Sequence, residues 1–165
     1  MCKFFSIVTE GDGVPKYFDV QTRASLQENN PNSYDFDSHT SIAHFHNLND
    51  DLVNKYEYCP FTKVFIVDQR NLPQNDQKQI ETWCRSFDFM ELIEQGEYDL
   101  DLSGCTIPDG FVFPTSVGGS LYLNGCTIPK GIVLPTSVGG YLDLNGCTIP
   151  DGIVLPTSVG GEIYR

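Results

Sequence analysis

The segment "LYLNGCTIPKGIVLPTSVGG", residues 121–140, decides the architecture of the C-terminal half, because it recurs almost unchanged before and after itself. Its cysteine returns every 21 residues as Cys105, Cys126 and Cys147, and the prolines and glycine pairs follow the same period. Near-identical copies at a fixed period are typical of repeat proteins, in which each repeat stacks on its neighbours.

Each copy combines a short strand with turns. Residues 121–123 send alternate side chains inwards and outwards as a half-buried strand does, and Asn124-Gly125 is a turn dipeptide. A second apolar edge follows at 132–134, before a Pro-Thr-Ser corner and a Gly-Gly bend. The pattern predicts a three-coil β-solenoid with a 21-residue period over residues 97–165.

The repeated cysteines are interpreted as filling of the solenoid wall. Cysteine is small and apolar enough to be buried, and neighbouring coils would place equivalent atoms about 4.8 Å apart. Zinc sites need convergent ligands, commonly in C-x₂₋₄-C pairs, and cysteines separated by a whole repeat provide none. The sequence therefore predicts no metal site and no cofactor.

The middle copy resembles a short leucine-rich repeat. Four residues fall in register with the pattern L-x-x-L-x-L-x-x-N/C-x-L: Leu121, Leu123, Cys126 and Ile128. The "LPTS" corner is similar to the bacterial type, whereas the first position falls on Gly118, with Val117 one residue early. The resemblance covers residues 97–165 and implies a binding scaffold for no particular partner. It leaves two forms open, a horseshoe and a flatter β-solenoid.

The positions that flank the inward leucines differ between copies and are predicted to form a binding face. Alternation along a strand sends them to one side. They are Asp99, Asp101, Ser120, Tyr122, Tyr141, Asp143, Glu162 and Tyr164. Tyrosine beside carboxylates suits protein recognition, because tyrosine supplies rigid contact area with a polar tip. The alternative is drift at exposed positions after duplication.

Both ends of such a stack of repeats are predicted to be covered by other protein. The last copy ends in "GGEIYR", with Ile163 in the leucine register and Arg165 where Leu123 and Leu144 stand. An uncapped end exposes apolar side chains and strand edges. The N-terminal half is expected to cap the first coil, and the C-terminal end is predicted to pair with a second copy, as a homodimer, or with a partner.

Residues 1–90 lack the repeat and predict a small α+β domain. Strand pairs are expected over residues 2–20 and 55–69, where apolar runs surround turn residues. Helices are expected over 22–30, 39–48 and 75–87, the second capped by Asp37 or Ser38. The segment "DFMELIEQGEYDL", residues 88–100, is the expected junction.

This half resembles a small domain that opens many uncharacterised phage and gut-bacterial proteins. The similarity rests on "MCKFFS" (residues 1–6), "DSHTSIAHF" (37–45), "NKYEYCPFTKVFIVDQ" (54–69) and the tryptophan helix. It implies a viral or prophage origin and the cytoplasm of a bacterial host as the setting. It implies no activity.

Cys2 is the first candidate catalytic residue. An N-terminal cysteine released by removal of Met1 would have its own α-amine as a base. Lys3 stands where such enzymes usually carry glycine, and a retained Met1 would abolish the mechanism.

A polar pocket around His39 is the second candidate. Together with Asp37, Arg23, Tyr56 and Glu57, His39 could support acid–base chemistry or bind a nucleotide or ADP-ribose-like ligand. The alternative is a helix cap whose histidine is simply hydrogen-bonded. The histidine spacings match no metal-binding pair.

The charge of the chain is strongly acidic, with 22 acidic against 10 basic residues and a net charge of −12. Such a chain repels nucleic acids and anionic membranes but can occupy a basic groove as a mimic; the plainer interpretation is solubility. No apolar run approaches the roughly 20 residues that span a bilayer, and no signal peptide is visible. A cytoplasmic, reducing location with mostly free thiols is expected.

These patterns favour a non-enzymatic protein-interaction module. The specific hypothesis is a phage-encoded inhibitor of a host or defence protein that acts by steric blocking or acidic mimicry. Two alternatives stay open: an enzyme or ligand-binding protein that uses the N-terminal pocket, and an assembly protein that uses the end of the solenoid.

Overall fold

The computed structural model describes residues 5–11, 14–29, 35–36, 38–73, 77–96 and 98–165. The fold is mixed α/β, and the chain divides into two compact units between Phe87 and Asp88. The N-terminal unit holds an antiparallel sheet with helices, and both sheets of the C-terminal unit are parallel.

The N-terminal unit is built on a three-stranded sheet in the order β1-β2-β3. Its elements are β1 (Ser6–Thr9), α1 (Val20–Asn29), α2 (His39–Phe45), a 3₁₀ turn (Asp50–Leu52), β2 (Asn54–Cys59), β3 (Val64–Gln69) and α3 (Gln77–Ser86). One part of the core is aliphatic and aromatic: Val8, Phe18, Ile42, Ala43 and Val53. A second part is a cluster of ring contacts: Phe5, Tyr17, Tyr58, Phe65, Trp83 and Phe87.

Local signals explain most of these elements. Ser38 caps α2 by accepting the Ser41 N–H, which satisfies one of the unpaired donors of the first turn; Asp37, the other predicted cap, lies outside the described residues. The first predicted strand pair differs from the expectation. β1 pairs along its length with β2, and among the described residues that follow, the chain returns to β1 through a single bridge between Val8 and Lys16.

In its described residues, 88–96 and 98–165, the C-terminal unit contains one helix and seven two-residue strands. They are α4 (Phe89–Gln95), β4 (Leu100–Asp101), β5 (Ser116–Val117), β6 (Leu121–Tyr122), β7 (Ser137–Val138), β8 (Leu142–Asp143), β9 (Ser158–Val159) and β10 (Ile163–Tyr164). One sheet has the order β10-β8-β6-β4 and the other β5-β7-β9. Every pair joins equivalent positions of adjacent copies, as Leu121 with Leu142 and Val117 with Val138.

The second strand of each copy lies later than the sequence predicted. Residues 132–134 form no strand: Ile132 and Leu134 are buried, but Val133 is 74% exposed. The strand is instead Ser137–Val138, after the proline. Pro135 has no N–H to donate to a neighbouring copy, whereas Thr136 donates its N–H to the Thr115 carbonyl at 2.8 Å.

Helix α4 terminates the sheet of β5, β7 and β9 on the side of the first copy. Gly118 donates its N–H to the Ile93 carbonyl at 3.0 Å, and Thr115 donates to the Glu94 carboxylate at 2.7 Å. In the next copy the equivalent donors bond to β5 and the residue before it. The segment expected to be a junction is therefore a helix that satisfies the exposed edge of the first copy.

Candidate functional site

The outward side of the sheet β10-β8-β6-β4 carries the predicted binding residues. Leu100, Leu121 and Leu142 point inwards and are completely buried. The side chains next to them on the strands are at least partly exposed, except that of Ser120. We call the exposed set the tyrosine face: Asp99, Asp101, Tyr122, Tyr141, Asp143, Glu162 and Tyr164.

Ser120 differs from the predicted outward position, because it is only 6% exposed. Asp99 Oδ1 accepts the Ser120 N–H at 2.6 Å, and Ser120 Oγ accepts the Tyr141 N–H at 3.0 Å. These bonds join consecutive copies and satisfy backbone donors that follow the Gly-Gly bends. Ser120 therefore has a structural role, and Asp99 combines such a role with an exposed position.

Two further carboxylates hold turns while they remain on the tyrosine face. Asp101 Oδ1 accepts the Ser103 N–H at 2.9 Å, and Asp143 Oδ1 accepts the Asn145 N–H at 2.9 Å. Such bonds, from a side chain to the backbone two residues on, are Asx turns. The carboxylates are thus already held in fixed positions. Binding of a partner would therefore cost less side-chain entropy.

The two most exposed aromatic residues of this face are Tyr141 and Tyr164. They are 46% and 41% exposed, and their ring centroids lie 6.0 Å apart. A hydrogen bond to Glu162 raises the pKa of the Tyr164 phenol, because ionisation would place a second negative charge beside this carboxylate. The pair offers an apolar platform with polar tips between carboxylates.

The cysteines of the repeats are structural thiols, with one exception. Cys126 Sγ donates to the Leu102 carbonyl at 2.9 Å and Cys147 Sγ to the Leu123 carbonyl at 2.6 Å. Burial raises the pKa of both thiols, which keeps them protonated and poorly nucleophilic. Cys105 is disulfide-bonded, whereas Cys59, Cys84, Cys126 and Cys147 are free.

The raised pKa values of Cys126 and Cys147 predict a loss of stability at alkaline pH. The folded protein holds these protons more tightly than the unfolded chain, so their contribution to folding is complete below the ordinary thiol pKa of about 8.5 and is lost as pH rises through the folded value. In the double variant Cys126→Ser, Cys147→Ser, the hydroxyls keep a donor but do not titrate there. Its urea midpoint should fall less between pH 8 and 10 than that of the parent, and the matched variant Cys84→Ser should behave like the parent. Equal alkaline losses in all three would contradict the prediction.

His39 lies among carboxylates in the N-terminal unit. It is the first residue of α2, is 9% exposed, and lies with Nε2 3.0 Å from the Tyr56 carbonyl oxygen and 3.5 Å from Glu57 Oε1. Its Nδ1 is 3.8 Å from Asp68 Oδ2. Ser6 Oγ donates to Glu57 Oε1 at 2.9 Å. We call Ser6, His39, Glu57 and Asp68 the His39 cluster.

Comparison with family models, curated proteins and solved structures finds no match to this chain.

The structure brings together part of the predicted pocket. Glu57 contacts His39 directly, and Tyr56 contacts it through its main-chain carbonyl rather than through the phenol. Arg23 lies over the Phe36 ring, with its guanidinium carbon 5.0 Å from the centroid. Cys2 lies outside the described residues.

The sequence did not identify Ser6 and Asp68 as members of the His39 cluster. Ser6 is a polar residue in a strand whose four residues are all buried, and a hydroxyl in such a strand is the signal that could have indicated a buried partner. Asp68 lies on β3, and Ser6 lies on β1, at the other edge of the sheet. Only the order of the strands brings Asp68 near His39. The described residues contain no group of three or more His, Cys, Asp or Glu side chains arranged to hold a metal ion. None of their helices is both long enough and apolar enough to cross a membrane.

Proposed function

We propose that this chain is a non-enzymatic protein-interaction module that binds a protein partner through the tyrosine face. The exposed pair of Tyr141 and Tyr164, flanked by carboxylates, carries the proposal. Tyrosine is among the residues most enriched at binding hot spots, and neighbouring tyrosines on rigid strands lose little entropy when a partner covers them.

We propose further that the scaffold of this face is a three-coil β-solenoid similar to a leucine-rich repeat. The strand pairing supports this proposal. Paired residues are one whole copy apart in every pair of neighbouring strands, as expected when coils stack on one another. So does the row of buried leucines, in which each copy packs against the next.

The resemblance of the N-terminal half to phage domains extends the proposal to the kind of partner. In this proposal the protein inhibits a host or defence protein, either by steric blocking or by placing its carboxylates in a basic groove. Salt distinguishes the two mechanisms. Mimicry relies on charges that salt screens, whereas blocking by tyrosine contacts depends less on ionic strength.

The test is capture of proteins from a bacterial host lysate with the immobilised chain, followed by mass spectrometry. The variant Tyr141→Ala, Tyr164→Ala should lose the specifically captured protein, because loss of a hot-spot tyrosine costs about 2 kcal/mol or more, roughly 30-fold in affinity. Val133→Ala is the matched control, since it truncates an exposed side chain of the same unit away from this face. Capture that is unchanged by the tyrosine substitutions would contradict the proposal.

A ligand-binding or enzymatic role of the His39 cluster is the second candidate. It is supported by a mostly buried histidine with carboxylates within 4 Å of both ring nitrogens. In the same capture experiment, His39→Ala should leave binding intact if the first proposal holds, and so should Arg23→Ala, which changes a residue outside the cluster. Loss of the captured protein in His39→Ala, with binding intact in Tyr141→Ala, Tyr164→Ala and in Arg23→Ala, favours the second.

Assembly through the last copy is the third candidate. Ile149 and Ile163 are exposed, whereas their equivalents in the preceding copies are buried. A second copy that covered them would remove this apolar surface from water. Comparison of the stability of Leu121→Ala and Ile163→Ala at several protein concentrations tests it.

A further inference from the structure

A groove between β3 and α3 in the N-terminal unit is separate from both surfaces described above. It has a volume of about 460 Å³, within the range of roughly 300–1,000 Å³ that is usual for small-molecule sites. Its lining residues are Lys63, Val64, Phe65, Ile80, Glu81, Cys84 and Arg85. Phe65 and Ile80 are buried beneath it, and Val64 is exposed at its surface.

The charged residues of the groove favour an anion. Lys63 and Arg85 line it, and neither forms an ion pair with a described residue. Among the described residues of the lining, Glu81 is the one acidic group, so that these residues have a net charge of +1, against −12 for the whole chain. A locally cationic, apolar groove on an acidic protein complements a ligand with one negative charge and an apolar body.

The backbone conformation of Lys63 is a second and independent observation in favour of a ligand site in this groove. Its φ is +58°, in the left-handed region, at the end of the turn that joins β2 to β3. Glycine is the favoured residue there, and a lysine costs about 1 kcal/mol by comparison. Backbone strain of this kind is found more often at functional sites, which supports a role for the Lys63 side chain in the groove.

Cys84 supplies a chemical reporter inside the groove. Its Sγ donates to the Lys63 carbonyl at 3.2 Å, which joins α3 to the beginning of β3. Cys59 is also a free and partly exposed thiol, but it does not line the groove. A ligand in the groove should therefore shield Cys84 from alkylation and leave Cys59 reactive.

We propose that this groove binds a small apolar monoanion, such as an aromatic or branched aliphatic carboxylate. Phe65 and Ile80 contact its apolar body, and Lys63 and Arg85 pair with its anionic group. The site is independent of the tyrosine face and of the His39 cluster, and failure of either earlier proposal leaves it unaffected.

The test uses two fluorescent probes that differ by one charge, anilinonaphthalene sulfonate and the neutral phenylnaphthylamine. The parent should bind the sulfonate at least tenfold more tightly than the neutral probe, the effect of one charge-assisted contact of about 1.4 kcal/mol. Lys63→Gly and Arg85→Gln should each reduce sulfonate affinity about tenfold and leave the neutral probe unchanged. Lys63→Gly should also unfold at higher urea concentration, because glycine suits the left-handed turn, so weaker binding cannot result from misfolding.

Lys78→Gln is the matched control, because it removes a lysine of the same helix that does not line the groove. Saturation with the sulfonate should slow iodoacetamide modification of Cys84 and not of Cys59, as followed by peptide mass mapping. Equal loss of affinity in Lys78→Gln, no preference for the sulfonate, or unprotected Cys84 would each overturn the proposal.

Discussion

Gly139→Ala should destabilise the C-terminal unit by about 3 kcal/mol or more, the upper part of the range for overpacked interiors. A Cβ at Gly139 would overlap the main-chain carbonyl oxygen of Gly118 in the preceding copy. The carbonyl groups on either side of it, those of Val117 and Gly119, accept the N–H groups of Gly139 and Gly140, so this backbone atom cannot move aside as a flexible side chain can. Urea unfolding followed by circular dichroism measures the loss, with a separate transition expected for this unit if the two units unfold independently.

Gly131→Ala is the control for Gly139→Ala in the same copy. Gly131 has a φ of +84° but no heavy atom within 4 Å of an added Cβ, so its cost is backbone strain alone, about 1 kcal/mol. Gly160→Ala meets the same kind of overlap as Gly139→Ala, but directly after β9, the last strand of its sheet, which can shift with less disruption. The expected order of destabilisation is therefore Gly139→Ala, then Gly160→Ala, then Gly131→Ala. A Gly139→Ala protein as stable as Gly131→Ala would contradict the close contact between copies.

Leu121→Ala and Ile163→Ala should differ widely in cost, although both residues occupy the same position of the repeat. Leu121 is completely buried, and its truncation should cost about 2–5 kcal/mol. Ile163 is 41% exposed, and its truncation should cost less than about 1 kcal/mol, because much of its surface already contacts water. Urea midpoints of the two variants at low protein concentration give the comparison.

The same pair of variants tests assembly through the last copy. If a second copy covers Ile163, the cost of Ile163→Ala should rise with protein concentration, since association stabilises the folded state by mass action. Light scattering on the parent should then show a dimer that Ile163→Ala weakens. A monomer at every concentration, with a constant and small cost, would contradict the assembly proposal. A cost equal to that of Leu121→Ala at high dilution would contradict the exposed position of Ile163.

Most elements of the N-terminal unit could be predicted from local signals. The cap at Ser38, the turn that begins at Pro60 between β2 and β3, and the spacing of the apolar residues of α3 (Ile80, Trp83 and Cys84) act over a few residues, so their patterns can be recognised in the sequence. The His39 cluster could be predicted only in part. Glu57 was expected near His39, but Ser6 and Asp68 reach the cluster through pairings between distant segments.

The repeat half, too, could be predicted from the sequence only in part. The period predicted which residues are equivalent, and the parallel pairing of equivalent residues follows from it. It did not locate the second strand, which lies at Ser137–Val138 rather than at residues 132–134. It also placed Ser120 outside, although Ser120 lies inside and bonds to the next copy.

The repeat period and the alternation that places the leucines on one side of each strand are properties of the chain alone, because they depend on residue type and on spacing along one strand. The groove at Lys63, the neighbours of His39, and the exposure of Tyr141 and Tyr164 were decided by the tertiary structure. The reason is physical: a local pattern specifies which side of an element is apolar, whereas burial, charge pairing and cavity volume depend on which other element covers that side.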